Sequence, residues 1–405
     1  MKSITESEPL HIAVIQPVIP LYTIPLFERL AGLRGVRLTV LADLQTKNQL
    51  NQYERSQHRF SALHLGARTC GPFVIRPGLL RLLGVLTPDI VIINGDPREV
   101  SQHCALLWCK AKSIPVGVWS MFHRIGERRL LSELYMRFVG QVGDIIMSYG
   151  MRGRNEQVDR GTPLGKLVVL STAIDEEAVC CVRDQICPED VATFKDQFGL
   201  KDKRILLQVV RITQIKRTDV LIRAFRVLCQ RRSDVVLVLV GGGPLEAAVR
   251  RQAKELGLSD RVLFQGPIYD ERRLGLWYKS ADIFVMATCI GLSIHHAMCY
   301  GVPVITDDNP LTQASEFEVL QTTVNGLTYR SGDSDDFADK VEILLDNEQL
   351  RRQLGLNAMN RVLNDFTLEK KVQNFSCAID RLASLSRRHR CLQSAVTSLA
   401  NTTRR

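Results

Sequence analysis

The sequence predicts an α/β protein with two doubly wound, Rossmann-like domains that face a cleft, followed by a C-terminal helical extension. Two observations support this fold class. Short apolar runs rich in valine, isoleucine and leucine alternate with segments of helical periodicity, and this alternation occurs in two consecutive series. The apolar runs are continuous, as expected of parallel strands that are covered by helices on both faces.

The first series is predicted to form an N-terminal domain over residues 1–178. Its strand-like runs are 11–18, 36–43, 88–95, 115–120, 144–149 and 166–172. Helical spacing separates them at 25–33, 98–113 and 132–142. Residues 179–198 lack a strand-like run, and we interpret them as a linker with an entry helix.

The second series is predicted to form a C-terminal domain over residues 199–366. Its strand-like runs are 204–211, 235–243, 261–266, 281–287, 303–306 and 326–329. Residues 367–405 are predicted to form a C-terminal helix and a loose basic tail. Because ligands of such sheets bind at the carboxyl ends of the strands, we expect the cleft between the domains to hold the site.

Composition and charge limit the classes of binding partner that we expect for this protein. The 405 residues are 45% hydrophobic and 24% charged, as in globular proteins, and the net charge of +10 favours anionic partners. An ordinary solvated basic surface is the alternative. Nucleic acid is disfavoured because the basic residues do not cluster with aromatic ones. No run approaches the roughly 20 apolar residues of a membrane span, and the N-terminus is too polar for a signal peptide. We expect a cytoplasmic protein, or one held peripherally at the inner membrane face.

The sequence predicts no metal and no cofactor. The eleven cysteines are scattered without a Cys-x-x-Cys and fit reduced core thiols. His295 and His296 are adjacent, so on a helix they point in different directions and do not share a ligand position. His295 and Cys299 have the i,i+4 spacing of a metal pair but lack a third ligand. The acidic runs 306–309 and 333–336 fit a turn and a helix N-cap.

Several residues at strand ends of the second domain suit an anion. Arg211 ends a strand, and Lys216 precedes a helix five residues later; a guanidinium fork and an ammonium both match a diphosphate. Solvated loop cations are the alternative. Gly242 and Gly243 belong to a glycine run that matches neither a dinucleotide fingerprint nor a Walker loop. We expect this run to allow a tight turn and a close approach of the backbone to a ligand.

A short helix after Gly291 offers a second anion-binding feature. The backbone N–H groups of Leu292, Ser293 and Ile294 are expected to point out of the start of this helix, where the helix dipole adds a partial positive charge. An ordinary helix preceded by glycine is the alternative interpretation.

Six segments of the second half, taken in order, resemble the nucleotide-binding domain of retaining GT-B glycosyltransferases of family four, the group 1 type. These segments are 209–225, 237–268, 278–288, 291–306, 315–329 and 331–345. The first half resembles the family more loosely, at 42–45 and 169–175. Residues 16–31 replace the usual Gly-Gly loop, as in a subset of bacterial relatives.

The resemblance implies roles for named residues. It places the family's phosphate-binding arginine and lysine at Arg211 and Lys216, and its base-binding backbone near Gly266 and Ile268. The loop that contacts the donor falls on Gly291, Leu292 and Ser293. Glu316 matches an acidic position of the bacterial subset and is expected to contact the donor.

The resemblance also shows departures. The family's Glu-x7-Glu pair falls on Thr288 and His296, so both carboxylates are missing. His296 is expected to bind the ribose through a ring nitrogen, and Thr288 to be a weaker substitute beside the transferred sugar. Relatives often carry a histidine after the strand that corresponds to 115–120. Here His123 is displaced from that position, so it is either a counterpart near the sugar or a loop histidine without a role.

The function implied is transfer of a sugar, with retained configuration and without a metal, from a nucleotide diphosphate sugar to an acceptor hydroxyl in polysaccharide or glycolipid assembly. Arg211, Lys216, Thr288 and His123 are the catalytic candidates. The expected partners are a nucleotide sugar, a sugar or lipid-linked acceptor bound by the N-terminal domain, and an anionic membrane. The basic residues His123, Arg124, Arg128 and Arg129, beside an amphipathic helix, suggest the membrane.

Two other functions stay open at this point. The missing glutamates are compatible with a non-catalytic nucleotide-sugar-binding or scaffold protein. A GT-B-like sugar-nucleotide epimerase is the other alternative, although such an enzyme needs additional acids and bases that the sequence does not match.

Overall fold

The computed structural model describes residues 8–45, 58–126 and 130–402, with side chains up to Ser386. The chain divides into two compact units. The first unit contains the residues up to Arg124, those from 130 to Ser171, and the C-terminal segment from Glu369. The second unit is Thr172–Leu368 with a short stretch that begins at Ile125. The structure therefore divides the chain a few residues before the predicted boundary at 178.

The first unit is built on a parallel sheet. Its strands are β1 (Leu10–Ile15), β2 (Val36–Ala42), β3 (Ser61–His64), β4 (Arg68–Cys70), β5 (Phe73–Ile75), β6 (Ile90–Asn94), β7 (Val116–Ser120), β8 (Ile145–Ser148) and β9 (Leu167–Val169). Seven of them form the parallel sheet in the order β3-β2-β1-β6-β7-β8-β9, and β4 and β5 form a separate antiparallel pair. Strands β3, β4 and β5 were not predicted, because they are short and largely exposed rather than apolar.

Five helices of the first unit connect these strands. They are α1 (Ile24–Ala31), α2 (Leu79–Leu86), α3 (Val100–Ala111), α4 (Leu130–Val142) and α5 (Met151–Asp159). The central strands are almost completely buried, as the continuous apolar runs predict.

The second unit is a six-stranded parallel sheet. In chain order its elements are α6 (Glu176–Asp184), α7 (Pro188–Gln197), β10 (Arg204–Val209), α8 (Thr218–Arg231), β11 (Val235–Val240), α9 (Glu246–Glu255), β12 (Val262–Gly266), α10 (Glu271–Ser280), β13 (Ile283–Val285), α11 (Ser293–Cys299), β14 (Val304–Asp307), β15 (Gly326–Tyr329), α12 (Ser334–Asp346) and α13 (Glu348–Asp365). The strand order is β12-β11-β10-β13-β14-β15. The predicted linker at 179–198 is mostly helical and lies within this unit.

Alternate side chains of the second sheet form two cores, one on each face. Leu206 and Leu237 point into one core, whereas the neighbouring residues Leu207 and Val238 point into the other. Helices cover both faces, so the strands read as unbroken apolar runs in the sequence.

The C-terminal helix α14 (Leu368–Thr402) returns to the first unit. Its Phe375 ring packs edge-on against Trp119 of β7, with ring centroids 4.9 Å apart, and the Asn374 amide donates to the Leu170 carbonyl at 3.4 Å. The prediction of a loose tail differs from this helix, which continues to Thr402. Within the described part of the chain, no helix combines the length and apolarity needed to cross a bilayer.

Candidate functional site

The candidate site lies where the strand order of the second sheet changes direction. Strands β10 and β13 are neighbours, but the chain leaves β10 towards β11 and leaves β13 towards β14 on the opposite side. Connections that diverge in this way open a crevice at the carboxyl ends of the two strands, where α/β sheets bind ligands. Lys216 follows β10 and Gly291 follows β13, so two predicted site residues meet at this edge.

Lys216 spans the crevice. It ends a short 3-10 turn, and its ammonium donates a hydrogen bond to the Cys289 carbonyl and lies 3.7 Å from the Cys289 sulfur. A Cβ atom built on Gly291 would lie 3.3 Å from the same nitrogen. Since an ammonium has three N–H donors, it can bind this carbonyl and an anion together. Gly291 leaves the backbone open beside the positive charge.

The loop from Ala287 to Ile290 is held at both ends. The Tyr329 hydroxyl donates to the Ala287 carbonyl at 2.8 Å, and the Ile290 N–H donates to the Gln313 side-chain oxygen at 2.8 Å. Between these contacts, Cys289 has a φ of 50°, a left-handed conformation that costs a non-glycine residue about 1–2 kcal/mol. The hydrogen bonds hold the strained carbonyl where Lys216 binds it.

Thr288 is connected to a buried carboxylate by hydrogen bonds. Its hydroxyl donates to the Thr312 hydroxyl at 2.8 Å, which in turn donates to Asp307 at 3.2 Å. Asp307 is 1% exposed and also accepts from the Ser331 hydroxyl at 2.7 Å. Burial raises the pKa of the Asp307 carboxyl, while the hydrogen bonds from Ser331, Thr288, Thr312 and Gln313 lower it. Position 288 is therefore linked to a carboxylate through its hydroxyl.

Arg211 and Glu316 lie on segments that border the same crevice. Arg211 follows β10 and its side chain is exposed. Glu316 belongs to the 3-10 turn Ser315–Val319 and is half-buried. Burial raises the pKa of the Cys289 thiol, Lys216 lowers it, and the charge of Glu316 raises it further. Glu316 thus acts electrostatically on the loop that Lys216 binds.

The glycine run after β11 has a packing role that was not predicted. A Cβ on Gly243 would lie 2.3 Å from the Ile212 carbonyl oxygen, and one on Gly241, whose φ is +123°, would lie 2.0 Å from that of Val210. These glycines let the turn pack against the segment that leads to Lys216. The Gly242 carbonyl accepts a hydrogen bond from the Ile212 N–H at 3.0 Å.

The base-binding segment named by the resemblance follows β12. Gly266 ends this strand with a φ of +66°, a conformation that favours glycine. Ile268 is partly buried against the core. The segment lies at the same edge of the sheet as the Lys216 crevice, because all six strands are parallel.

The start of α11 differs from the prediction. The Ile294 N–H donates to the Gly291 carbonyl at 3.0 Å, so the first turn already uses it. The prediction of three outward-pointing amides was therefore wrong for Ile294. This turn is closed by the hydrogen bond to the Gly291 carbonyl. Of the predicted set, the backbone N–H groups of Leu292 and Ser293 remain.

The two histidines of α11 have different environments. His295 is fully buried, and its Nε2 lies 3.0 Å from the Thr172 hydroxyl. His296 is half-buried and stacks on Tyr278, with ring centroids 5.9 Å apart. Burial lowers the pKa of His296 to about 4, although a hydrogen bond to the Leu292 carbonyl opposes the shift. At neutral pH this imidazole is uncharged and can exchange hydrogen bonds with a hydroxyl group.

His123 belongs to the first unit, unlike the other candidates. It follows β7, is 3% exposed, and its Nδ1 lies 3.2 Å from the Met121 carbonyl oxygen. Arg128 and Arg129 of the predicted basic run lie outside the described residues. Among the described side chains, no three of His, Cys, Asp and Glu are grouped as metal ligands; metal independence stays a prediction.

Sequence reasoning did not identify Tyr329, Gln313 or Asp307 as parts of the site. Asp307 was noted only within an acidic turn, 306–309. A carboxylate that directly follows a buried strand is the one signal that marked it, since such a position faces the ligand edge of the sheet.

Part of the chain is similar to a known protein family. Residues 190–361 match the family described as glycosyl transferases group 1. The second unit is a glycosyl transferases group 1 domain. The match contains Lys216, the Cys289 loop and the Asp307 network, whereas His123 lies outside it.

Curated relatives of this glycosyltransferase domain act on different acceptors, according to their names. The GDP-mannose-dependent alpha-(1-6)-phosphatidylinositol monomannoside mannosyltransferase of Mycolicibacterium smegmatis is 24% identical over 247 residues, which are 55% of this chain and 63% of that protein. The N-acetyl-alpha-D-glucosaminyl L-malate synthase of Bacillus anthracis is 29% identical over 256 residues, 62% of this chain and 63% of that protein. The chain thus spans just under two thirds of these relatives.

Solved structures show the same fold. The structure of HepE from Anabaena in complex with UDP-glucose superposes with a TM-score of 0.72 at 16% identity, covering 91% of this chain and 99% of that one. The group 1 domain and the first unit together therefore have the GT-B fold, with two parallel-sheet α/β domains and a helical C-terminal part, as the sequence predicts.

The lowered pKa of His296 predicts a pH dependence of stability. In the unfolded chain this imidazole titrates near 6.5, so its contribution is fully present above that pH and is lost as the pH falls towards 4. Between pH 7 and pH 5, the wild type should lose about 1–2 kcal/mol more unfolding free energy than His296→Gln. Urea denaturation of both proteins at the two pH values measures this difference. Equal losses would contradict the assigned environment.

Proposed function

We propose that this protein transfers a sugar from a nucleotide diphosphate sugar to an acceptor hydroxyl, with retention of the anomeric configuration. The observation that supports this most directly is the contact across the crevice, where Lys216 binds the Cys289 loop beside the uncovered backbone of Gly291. This arrangement suits a diphosphate, because a cation and a backbone without a side chain let phosphate oxygens approach closely.

The charge of the site matches the chemistry of the leaving group. When the bond between the sugar and the diphosphate breaks, negative charge grows on the departing phosphate. The Cys289 carbonyl holds Lys216 in place, and the exposed Arg211 adds a guanidinium at the same edge of the sheet. Preorganised positive groups of this kind stabilise the transition state. In this proposal they replace a divalent metal.

The comparisons support the substrate classes of the proposal. The structural neighbour HepE was solved with UDP-glucose, and the name of the Mycolicibacterium relative gives GDP-mannose and phosphatidylinositol monomannoside. We propose a nucleotide sugar as donor and a sugar or lipid-linked acceptor, in polysaccharide or glycolipid assembly at the cytoplasmic face of the membrane.

A binding protein without catalytic activity is the second candidate. It is favoured by one observation, the absence of a carboxylate at both Thr288 and His296. The neutral His296 keeps the ability to bind a ribose hydroxyl, so donor binding does not distinguish the two functions. Turnover does.

The first unit carries a surface that fits a membrane. One face of α4 exposes Leu130, Leu134 and Phe138 at helical i,i+4 spacing, with 75%, 54% and 38% exposure. Leu131, at 82% exposure, and the exposed Arg137 lie beside this row. Apolar side chains with a neighbouring cation are typical of helices that lie in the interface of an anionic bilayer. We propose that α4 brings the protein to its lipid acceptor.

Replacing Lys216 tests the site. Lys216→Met should lower kcat/KM at least a hundredfold, because the cation at the leaving diphosphate is lost. Arg211→Ala should also lose activity while keeping its fold, since its side chain is exposed. Lys203→Met, at the opposite end of β10, is the matched control and should stay within twofold. The rate of sugar transfer is measured for all three variants. Full activity of Lys216→Met would show that the diphosphate site is wrongly assigned.

The α4 surface is tested by vesicle sedimentation. The double variant Leu131→Ser, Leu134→Ser should lose at least four fifths of its binding to vesicles that contain phosphatidylglycerol. The double variant Val85→Ser, Leu164→Ser removes side chains of similar exposure, 74% and 60%, elsewhere on the first unit. It should bind as the wild type does. A wild type that shows no preference for anionic over zwitterionic vesicles would refute the membrane proposal.

A further inference from the structure

Asp307 is a buried carboxylate at the ligand edge of the second sheet. It ends β14, the strand next to β13, and is 1% exposed. One of its oxygens, Oδ2, accepts from the Ser331 and Thr312 hydroxyls at 2.7 Å and 3.2 Å. The other, Oδ1, accepts from the Gln313 amide at 2.5 Å. A buried carboxylate is costly unless it is fully hydrogen-bonded, and this one is surrounded by donors.

Gln313 transmits the orientation of Asp307 to the loop. Three oxygen acceptors face its NH2 group: the Asp307 carboxylate, the Asp307 carbonyl at 3.1 Å and the Thr306 hydroxyl at 3.1 Å. The amide oxygen is thereby turned towards Ile290, whose N–H it accepts at 2.8 Å. The carboxylate thus determines which end of the Gln313 amide meets the loop.

We propose that Asp307 is a positioning residue for the donor diphosphate. Through Gln313 and Thr288 it holds the loop from Ala287 to Gly291 in the one conformation that presents the Cys289 carbonyl to Lys216. The residue does not touch the substrate. The inference rests on the proposed function, because it assigns this loop and Lys216 to the diphosphate.

The geometry explains how the site functions with threonine at position 288. Cys289 keeps a left-handed backbone conformation, so its carbonyl direction depends on contacts at both sides. Tyr329 supplies one contact, and the Asp307–Gln313 pair supplies the other. Position 288 itself has no carboxylate. The carboxylate of Asp307 lies deeper in the structure and orders the loop instead.

The test compares how strongly a variant binds a nucleoside diphosphate and the corresponding nucleoside. Asp307→Asn leaves one acceptor oxygen where the carboxylate had two, so the Gln313 amide competes with the Ser331 and Thr312 hydroxyls for it and its orientation is held less firmly. Calorimetry with UDP, GDP and ADP, and with uridine, guanosine and adenosine, should show at least tenfold weaker binding of the diphosphate and a change within twofold for its nucleoside. Ser331→Ala removes a hydrogen bond to Oδ2 that does not lead to the loop, and its diphosphate affinity should stay within twofold.

The possible results distinguish a failure of the proposed function from a failure of the positioning role of Asp307. If the wild type binds none of the three nucleotides, the proposed function fails and this inference fails with it. If the wild type binds but Asp307→Asn binds the diphosphate equally well, or loses diphosphate and nucleoside in parallel, only the positioning role is overturned. Gln313→Met serves as the second variant if Asp307→Asn does not fold. It leaves the hydroxyl partners of Asp307 in place and should show the same selective loss of diphosphate affinity.

Discussion

The contact between the Lys216 ammonium and the Cys289 carbonyl is the interaction on which the site depends. It joins two segments 73 positions apart in the chain, one after β10 and one after β13, at the only point of the second sheet where neighbouring connections diverge. The position of the lysine follows from a 3-10 turn, and that of the carbonyl from a strained residue. The contact orders the flexible ammonium, while the hydrogen bonds of Tyr329 and Gln313 hold the loop that carries the carbonyl.

The charge balance of this crevice differs from what the family pattern leads one to expect. A pair of glutamates would place two negative charges near a dianionic leaving group, whereas Thr288 is neutral and His296, with a pKa of about 4, is neutral as well. Removing two negative charges lowers the electrostatic repulsion of a diphosphate. The remaining buried carboxylate, Asp307, is surrounded by hydroxyl and amide donors rather than directed at the site. The structure thus combines an electropositive edge with a carboxylate that has a structural task.

Much of the fold could be predicted because its determinants are local. Strands buried on both faces must be continuously apolar, so β1, β6, β10 and β11 are evident in the sequence. The edge elements β4 and β5 are exposed and lack that pattern. The return of α14 to the first unit depends on contacts such as Phe375 on Trp119, which join residues more than two hundred positions apart. No periodicity encodes such a contact.

The site was predictable where a residue type has an intrinsic chemistry. Lys216 and Gly291 could be named because cations and glycines before helices are general features of anion sites. Gln313 and Tyr329 could not be named, since each acts by donating to or accepting from one backbone group of a distant loop. The start of α11 shows the same limit, because the Ile294 amide is used by a local turn that only the backbone conformation reveals.

The central claim is that this crevice binds a nucleotide diphosphate sugar and activates it. The most direct measurement is calorimetry with a panel of UDP-, GDP- and ADP-sugars in buffer that contains EDTA, followed by NMR of the products formed from the donor that binds. We expect at least one donor to bind without metal and its sugar to be released or transferred with the anomeric configuration retained. Binding without any turnover, or no binding across the panel, would contradict it.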